Sequence, residues 1–451
     1  MSRRAHRAWA PAVLGLLWLG GAVRSAPAAA AAEEAPFAGQ FDAAPALLWS
    51  VRLPGPAFPS AVHTELGGPA LHGRYIYVGS AAADALFILE RHSGRMVRRI
   101  ETGAPVQAQP LIHDGRLIFA DTSGAVYAFS LQPDGEGGVA KAAAWTRQGT
   151  APVLSRVTVH GDTVFLSAVD DVVVALSLQS GELKWRHAQR SDGTRASRLK
   201  LYGAAAPAVA SGAQGGAEVV VGFSDGTLAG LDGETGVVRW QRRIGEGQYP
   251  DIIGGAAILG DDVLVAGYSE PLVAMHRGSR NVRWRLDHGG AFPPVVGGGS
   301  GAAPNLSDSS GADRYVFHGG SDGMVRCVDG RTGALIWTWD SGTRSSMGQP
   351  VPTPAGLLVA AAAGTISLID AADGQKLWSW LPEFLPSGFT GAIAVEGRQA
   401  VAVTNAGNIV SFVVPKEQPA WAAGDGVFDR VEGMGEARPA PRRTPPPGQR
   451  R

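Results

Sequence analysis

Two short stretches of the sequence carry a nucleophile pattern: Gly-Phe-Ser-Asp-Gly at 222–226 and Gly-Gly-Ser-Asp-Gly at 319–323 both fit Gly-x-Ser-x-Gly. In a hydrolase that pattern sets a serine on a sharp strand-to-helix turn, where Ser224 or Ser321 would attack a carbonyl with a histidine as base. Acid–base chemistry could be sought in Asp170–Asp171 and Asp261–Asp262, and a metal site among the ten histidines. Each candidate depends on the element that carries it. Both serines fall on what reads as a strand-to-strand turn, and the paired aspartates also sit in hairpin turns, where aspartate forms the turn before it acts as an acid. The histidines show no His-x-x-x-His or Glu-x-x-His spacing, and no string of Asp, Asn and Glu suggests a calcium loop. The expectation is therefore no catalytic, cofactor or metal site, and attention moves to the elements.

Those elements repeat. The phrase "SGELKW" at 180–185 returns as "TGVVRW" at 235–240 and "TGALIW" at 332–337. Taking its last residue as a marker gives Trp49, a degenerate Val97, Trp145, Trp185, Trp240, Trp284, Trp337 and Trp378, at spacings of 40 to 55 residues. Ahead of each phrase come a turn and an apolar run, as in "DGRLIFAD" or "GRQAVAVT", and then a second turn, as in "SDGTL" or "NAGNI". Glycine and aspartate supply the positive φ of tight hairpins, and Val, Ile, Leu and Phe supply the strands.

Eight such units of four strands predict an all-β, eight-bladed β-propeller of four-stranded antiparallel blades over 45–415. The last unit has only three strands, while "LLWSVRL" at 47–53 is an outer strand with no blade before it. Pairing the two closes the ring and hides both sheet edges. The tryptophans Trp49, Trp145, Trp185, Trp240, Trp284, Trp337 and Trp378 are expected to wedge against the neighbouring blade, where a large aromatic buries most area.

Composition agrees. In 451 residues, 62 glycines and 30 prolines are too many for a helical protein, and 40 basic residues cancel 40 acidic ones, so no charge argument for nucleic acid arises. Residues 1–34 have a secretory signal layout: Arg3, Arg4 and Arg7, then "AWAPAVLGLLWLGGAV", then "SAPAAAAA". The protein is expected to be exported, with cleavage or anchoring by this segment left open. The only cysteine, Cys327, lies far downstream of it, so no cysteine follows the leader to carry a lipid. Residues 416–451 end in "ARPAPRRTPPPGQRR" and read as a disordered tail.

The unit resembles the quinoprotein-type repeat, with Ala-x-Asp-x-x-Thr-Gly-x-x-x-Trp visible as "LDGETGVVRW", "VDGRTGALIW" and "IDAADGQKLW". Quinoprotein dehydrogenases share it with the BamB outer-membrane assembly family. The dehydrogenase resemblance implies a disulfide between adjacent cysteines over the quinone, which a chain with one cysteine cannot form. The BamB resemblance implies a non-catalytic, periplasmic, outer-membrane-associated scaffold. It binds the periplasmic domains of a barrel-inserting protein through two loops, patterned Leu-x-Leu-Arg-Gly and Asp-Val-Asp. Here "LKLYGAAAP" places Leu199, Leu201 and Gly203 on the first, with Tyr202 in place of arginine, and "PDIIGG" places Asp251 on the second, with Ile253 in place of the later aspartate. The connections between outer and inner strands are also the long ones, several with apolar residues among glycines and prolines, as a binding face would require. The expected partner-binding residues are Leu199, Leu201, Tyr202, Gly203 and Asp251, on a monomer without cofactor. A quinone enzyme and a propeller holding a small ligand in its central channel are the competing readings.

Overall fold

The computed structural model describes residues 45–54, 67–189, 203–211, 216–247, 249–297, 315–381 and 387–414. The expected leader over 1–34 and tail over 416–451 lie outside them. The described strands form eight four-stranded antiparallel sheets arranged as an eight-bladed propeller. Blades one to seven span 70–101, 111–147, 158–188, 208–243, 256–286, 295–340 and 351–380, each running in order from inner to outer strand. The eighth takes three strands from 394–413, and its outer strand is the N-terminal Ala46–Arg52, paired from Ala46 opposite Val413 to Arg52 opposite Asn408. Joining first strand to last leaves the ring with no open blade.

The sequence pattern follows from burial on both faces. Each blade is sandwiched between two others, so the middle strands read as continuous apolar runs: Ala85–Glu90 is buried in all but its last residue, and Gly356–Ala360 in every one. Outer strands face solvent along one side and alternate, as in Leu183–Ala188, where Trp185 points inward and Lys184 and Arg186 are exposed. The core is accordingly not one mass but eight clusters among the described residues, one per junction. Ile118, Ala120 and Trp145 of blade two, for instance, meet Val164, Leu166 and Leu176 of blade three.

Five of the seven tryptophans share one junction geometry. The indole of Trp185 packs on Gly236 of the next blade and its Nε1 donates to Gly233 O at 2.9 Å. Trp49, Trp145, Trp284 and Trp337 do the same on Gly94, Gly181, Gly333 and Gly374, each donating to the carbonyl three residues before that glycine at 2.9–3.1 Å. Only glycine serves there, because φ is 69–76° and a Cβ would stand 2.5–2.7 Å from the ring. The Thr-Gly or Ser-Gly turn of one repeat is thus the seat for the tryptophan of the repeat before it.

The exceptions are informative. The marker assigned to Val97 belongs to Arg98: a bulge between Ile88 and Leu89 leaves Val97 out of register, and Arg98 pairs with Ile88 where the other repeats pair their tryptophan. Blade two has no glycine seat, and Arg98 donates instead to Ala140 O at 2.9 Å and Lys141 O at 2.7 Å in its turn. Blade five carries Arg280, at φ 61°, in the glycine position. Trp240 lies over Gly230 of its own blade and donates to Glu218 Oε1 at 2.8 Å, and Glu218 also receives Arg277 of blade five at 3.0 Å. Trp378 is buried with its Nε1 unpartnered among the described residues, at the junction with blade eight, whose outer strand comes from the other end of the chain.

Candidate partner-binding face

The turns between second and third strands share one face of the ring with the connectors from outer to inner strands, because the two kinds of loop bond each other. Ile252 N donates to Phe223 O at 3.2 Å, Ser321 N to Gly289 O at 2.9 Å, and Asn405 N to Gly388 O at 2.8 Å. Of the residues expected at a binding site, Gly203 and Asp251 lie on these connectors, and the same face holds both Gly-x-Ser-x-Gly turns.

The first of the two serines is held by a carboxylate of the neighbouring blade. Ser224 Oγ donates to Asp171 Oδ2 at 2.5 Å and its N–H to Asp171 Oδ1 at 2.9 Å, so the turn of blade four is clasped by the aspartate of blade three. Asp171 itself adopts φ 62°, the turn-forming role expected of it. The other turn holds Asp322, which takes Arg326 through two guanidinium nitrogens at 3.1 and 2.5 Å and lies 3.4 Å from His288. Burial raises the Asp322 pKa, and the hydrogen bonds and charge of Arg326 more than offset that, leaving it below the usual range. Beside this pair His318 is fully buried, and desolvation lowers its pKa to about 4, so it is neutral at pH 7. Asp262 is not in a turn but opens a strand, where Arg283 holds it at 2.7 Å. Among the described residues no group of three or more His, Cys, Asp or Glu is placed to hold a metal ion.

Of the five expected contact residues, Leu199, Leu201 and Tyr202 lie outside the described residues. Gly203 and Asp251 are described, and their segments meet: a Cβ on Gly203 would stand 3.3 Å from Cγ2 of Ile253, two residues past Asp251. The second segment is pinned by Ile252, buried against Gly222 and the core between blades four and five. Asp251 has no exposed surface, so its place is beneath the loop it holds, while Ile253 keeps partial exposure. Gly203, Ile252 and Ile253 line a small cleft with Asp171, Phe223 and Ser224. Ile253 was visible in the sequence as the residue in place of the second loop's later aspartate, but nothing there placed Phe223 or Asp171 beside it, since their approach depends on three blades 30 to 82 residues apart. Its floor is apolar and its wall is a hydroxyl already bonded to a carboxylate.

The family model described as "Outer membrane protein assembly factor BamB" matches residues 39–137, 139–303 and 300–423. A curated relative of that description from Burkholderia pseudomallei (strain K96243) is 24% identical over 363 residues, covering 75% of this chain and 84% of the relative. A second, from Yersinia pestis, is 23% identical over 322 residues, covering 68% and 73%. Among solved structures, BamB from Moraxella catarrhalis superposes with a TM-score of 0.62 at 17% identity, over 82% of this chain and all of that one. Sqt1 from Chaetomium thermophilum, solved with the N-terminus of ribosomal protein L10 bound, superposes at 0.59 with 14% identity over 79% and 98%.

Proposed function

The chain belongs to the outer membrane protein assembly factor BamB family, and on that premise we propose that it is an exported, non-catalytic scaffold for outer-membrane barrel assembly. It works in the periplasm, beside the outer membrane, and binds the periplasmic domains of a barrel-inserting protein. The match of the family model to three stretches within residues 39–423 carries the reading. In support of it, Gly203 and Ile253, from the two stretches that resemble the family's loops, abut at one small cleft whose wall is fixed by the clasp of Ser224 by Asp171. A rigid ring of buried sheets loses little entropy when its loops dock, which favours a pre-organised binding face over an adaptable one.

Leu199, Leu201 and Tyr202 extend the contact from the first loop, with Tyr202 supplying an aromatic anchor in place of the family's arginine. Asp251 supports the second loop from beneath. The test is photo-crosslinking in living cells from positions 201 and 253, with mass spectrometry of what is captured. The expected product is the barrel-inserting outer-membrane protein from both positions, lost when the other position carries Leu201→Asp or Ile253→Arg in a chain that still unfolds as the wild type does. Capture from the opposite face alone, with nothing at 201 or 253, would overturn the assignment.

A further inference from the structure

The turn between the second and third strands of a blade has a recurrent build. In six of the eight blades it holds a residue in the left-handed region: Gly124, Asp171, Gly226, Gly323, Gly364 or Gly407. In five of those six the residue two ahead of it donates its N–H to the connector arriving from the blade before: Thr122 to Pro105 O, Val169 to Pro152 O, Ser321 to Gly289 O, Ala362 to Ser346 O and Asn405 to Gly388 O, at 2.8–3.0 Å. A backbone bond of this kind asks nothing of the side chains, so connectors of different sequence can share it.

Blades four and five, whose connectors carry Gly203 and Asp251, depart from this build. In blade four Ser224 N donates to the Asp171 carboxylate instead. In blade five the flanking register, Val265 opposite Val273 as Val221 is opposite Ala229, sets Glu270 in the place of Gly226 and Tyr268 in the place of Ser224. The Glu270 side chain is buried and its Oε1 receives Gly247 N at 2.7 Å, while Ser269 Oγ donates to Tyr249 O at 3.2 Å. Gly267 lies against the same connector, where a Cβ would stand 2.7 Å from Asp251 O. The segment leading to Asp251 and Ile253 is thus held from blade five by side chains.

That arrangement has a cost and an effect. Glu270 is 7% exposed and pairs with no cation among the described residues, so its carboxylate gives up water for a backbone N–H. In return the tip of the turn is released. Tyr268, at the position that five other blades tie down through its N–H, stands on the loop face with 39% of its surface exposed.

We propose that the blade-five turn belongs to the partner-binding face, with Glu270 as the positioning residue for the loop of Asp251 and Ile253 and Tyr268 as a contact residue for the same partner. The assignment rests on the scaffold reading and extends it to residues outside the two stretches that resemble the family's loops. Ile253 and Tyr268 lie on segments that bond each other, so one partner domain can cover both. A tyrosine suits that place, since it offers a broad apolar ring and a hydroxyl and loses little rotamer freedom on docking.

The test uses the full chain in living cells, with an aromatic photo-crosslinker at position 253 or 268 and mass spectrometry of the captured protein. Both positions are expected to capture the same protein. Tyr268→Ala should lower capture from position 253 about fivefold or more, with an unchanged urea midpoint because the side chain is exposed. Glu270→Ala should lower it as far and speed amide hydrogen exchange over 245–251, and Glu270→Gln, which keeps an oxygen for Gly247 N, should restore both. No capture from 253 in the otherwise wild-type chain would overturn the scaffold reading and this assignment with it. Capture from 253 with none from 268, or undiminished capture in Tyr268→Ala, would overturn the assignment alone. Undiminished capture in Glu270→Ala, or equal losses in Glu270→Ala and Glu270→Gln, would do the same. The Tyr268 measurements decide the matter even where Glu270→Ala does not fold.

Discussion

The junction between blades three and four and the one between blades four and five fix neighbouring sheets with different chemistry. At the first, a neutral indole rests on Gly236 and donates to a backbone carbonyl. At the second, Arg280 stands where glycine is needed, and the seat is replaced by a buried charge relay, Trp240 to Glu218 to Arg277. The side chains of Glu218 and Arg277 are only 9% and 11% exposed, so this pair is held in a low-dielectric junction. The neutral latch asks only for a tryptophan and a glycine at fixed places in the repeat phrase, which is why it recurs. The charged latch asks for three side chains to agree, and it occurs once among the described junctions.

The sharpest way to break the comparison is to exchange the seats. Gly236→Val puts a β-branched residue at φ 71° with its Cβ 2.5 Å from the Trp185 ring, and should cost about 4 kcal/mol through the left-handed backbone and the displaced indole together. Arg280→Gly relieves a non-glycine residue at φ 61° and should be neutral or stabilising by about 1 kcal/mol. Urea midpoints followed by tryptophan fluorescence compare the two, and similar losses in both would mean that blade five does not differ in the way described.

Removing the centre of the charged latch comes next. Glu218→Ala takes from Arg277 its nearer carboxylate, leaving only Asp261 at 3.8 Å, and leaves Trp240 Nε1 without an acceptor, an expected loss of about 3 kcal/mol. Adding Arg277→Met should recover part of that loss, since the stranded charge goes with it. A double variant less stable than Glu218→Ala alone would show that the two residues act independently.

These latches also divide what was legible in the sequence from what was not. Blade count, strand order and ring closure could be read because every repeat states them within about ten residues: a Gly or Asp turn, an apolar run, and Thr-Gly followed by Trp. Trp185 and Gly236 were both visible, although not that one seats the other. Arg98 was missed because a bulge moves the register by one residue, which spacing alone does not reveal, and Val97 was marked in its place. Glu218 and Arg277 are 59 residues apart and belong to no motif. The candidate cleft divides in the same way. The loops of Gly203 and Asp251 were found through family pattern, but the burial of Asp251 and the approach of Ile253 to Gly203 arise only when three blades are stacked.

Acid extends the comparison to the loop face of blade six, where His318 lies beside the Asp322–Arg326 pair. The neutral latches hold no titrating group, so they predict no sensitivity to pH. His318 does: burial lowers its pKa from 6.5 to about 4, so the unfolded chain takes up a proton that the folded chain refuses. Its contribution is complete above pH 6.5 and is lost as pH falls from 6.5 to about 4, with a loss on the order of 2 to 3 kcal/mol. His318→Leu should flatten the stability profile in that window, measured as urea midpoint against pH. An unchanged slope would assign the acid sensitivity to other groups.

The smallest effect separates the seated tryptophans from the unseated one. Trp185 and Trp378 are both buried, and replacing either by phenylalanine removes similar apolar area. Trp185→Phe also removes the hydrogen bond to Gly233 O, whereas the Nε1 of Trp378 has no partner to lose. The first substitution should therefore cost about 1 kcal/mol more than the second. The difference between the two variants is more informative than either value, because the loss of ring area largely cancels and the remainder reports the latch bond alone. If Trp378→Phe costs as much as Trp185→Phe, the hydrogen bond adds nothing to the seat, and what holds a blade to the next is the fit of indole against glycine. Both substitutions are read by the same urea midpoints, and the sign of their difference decides between the two accounts of the repeat phrase.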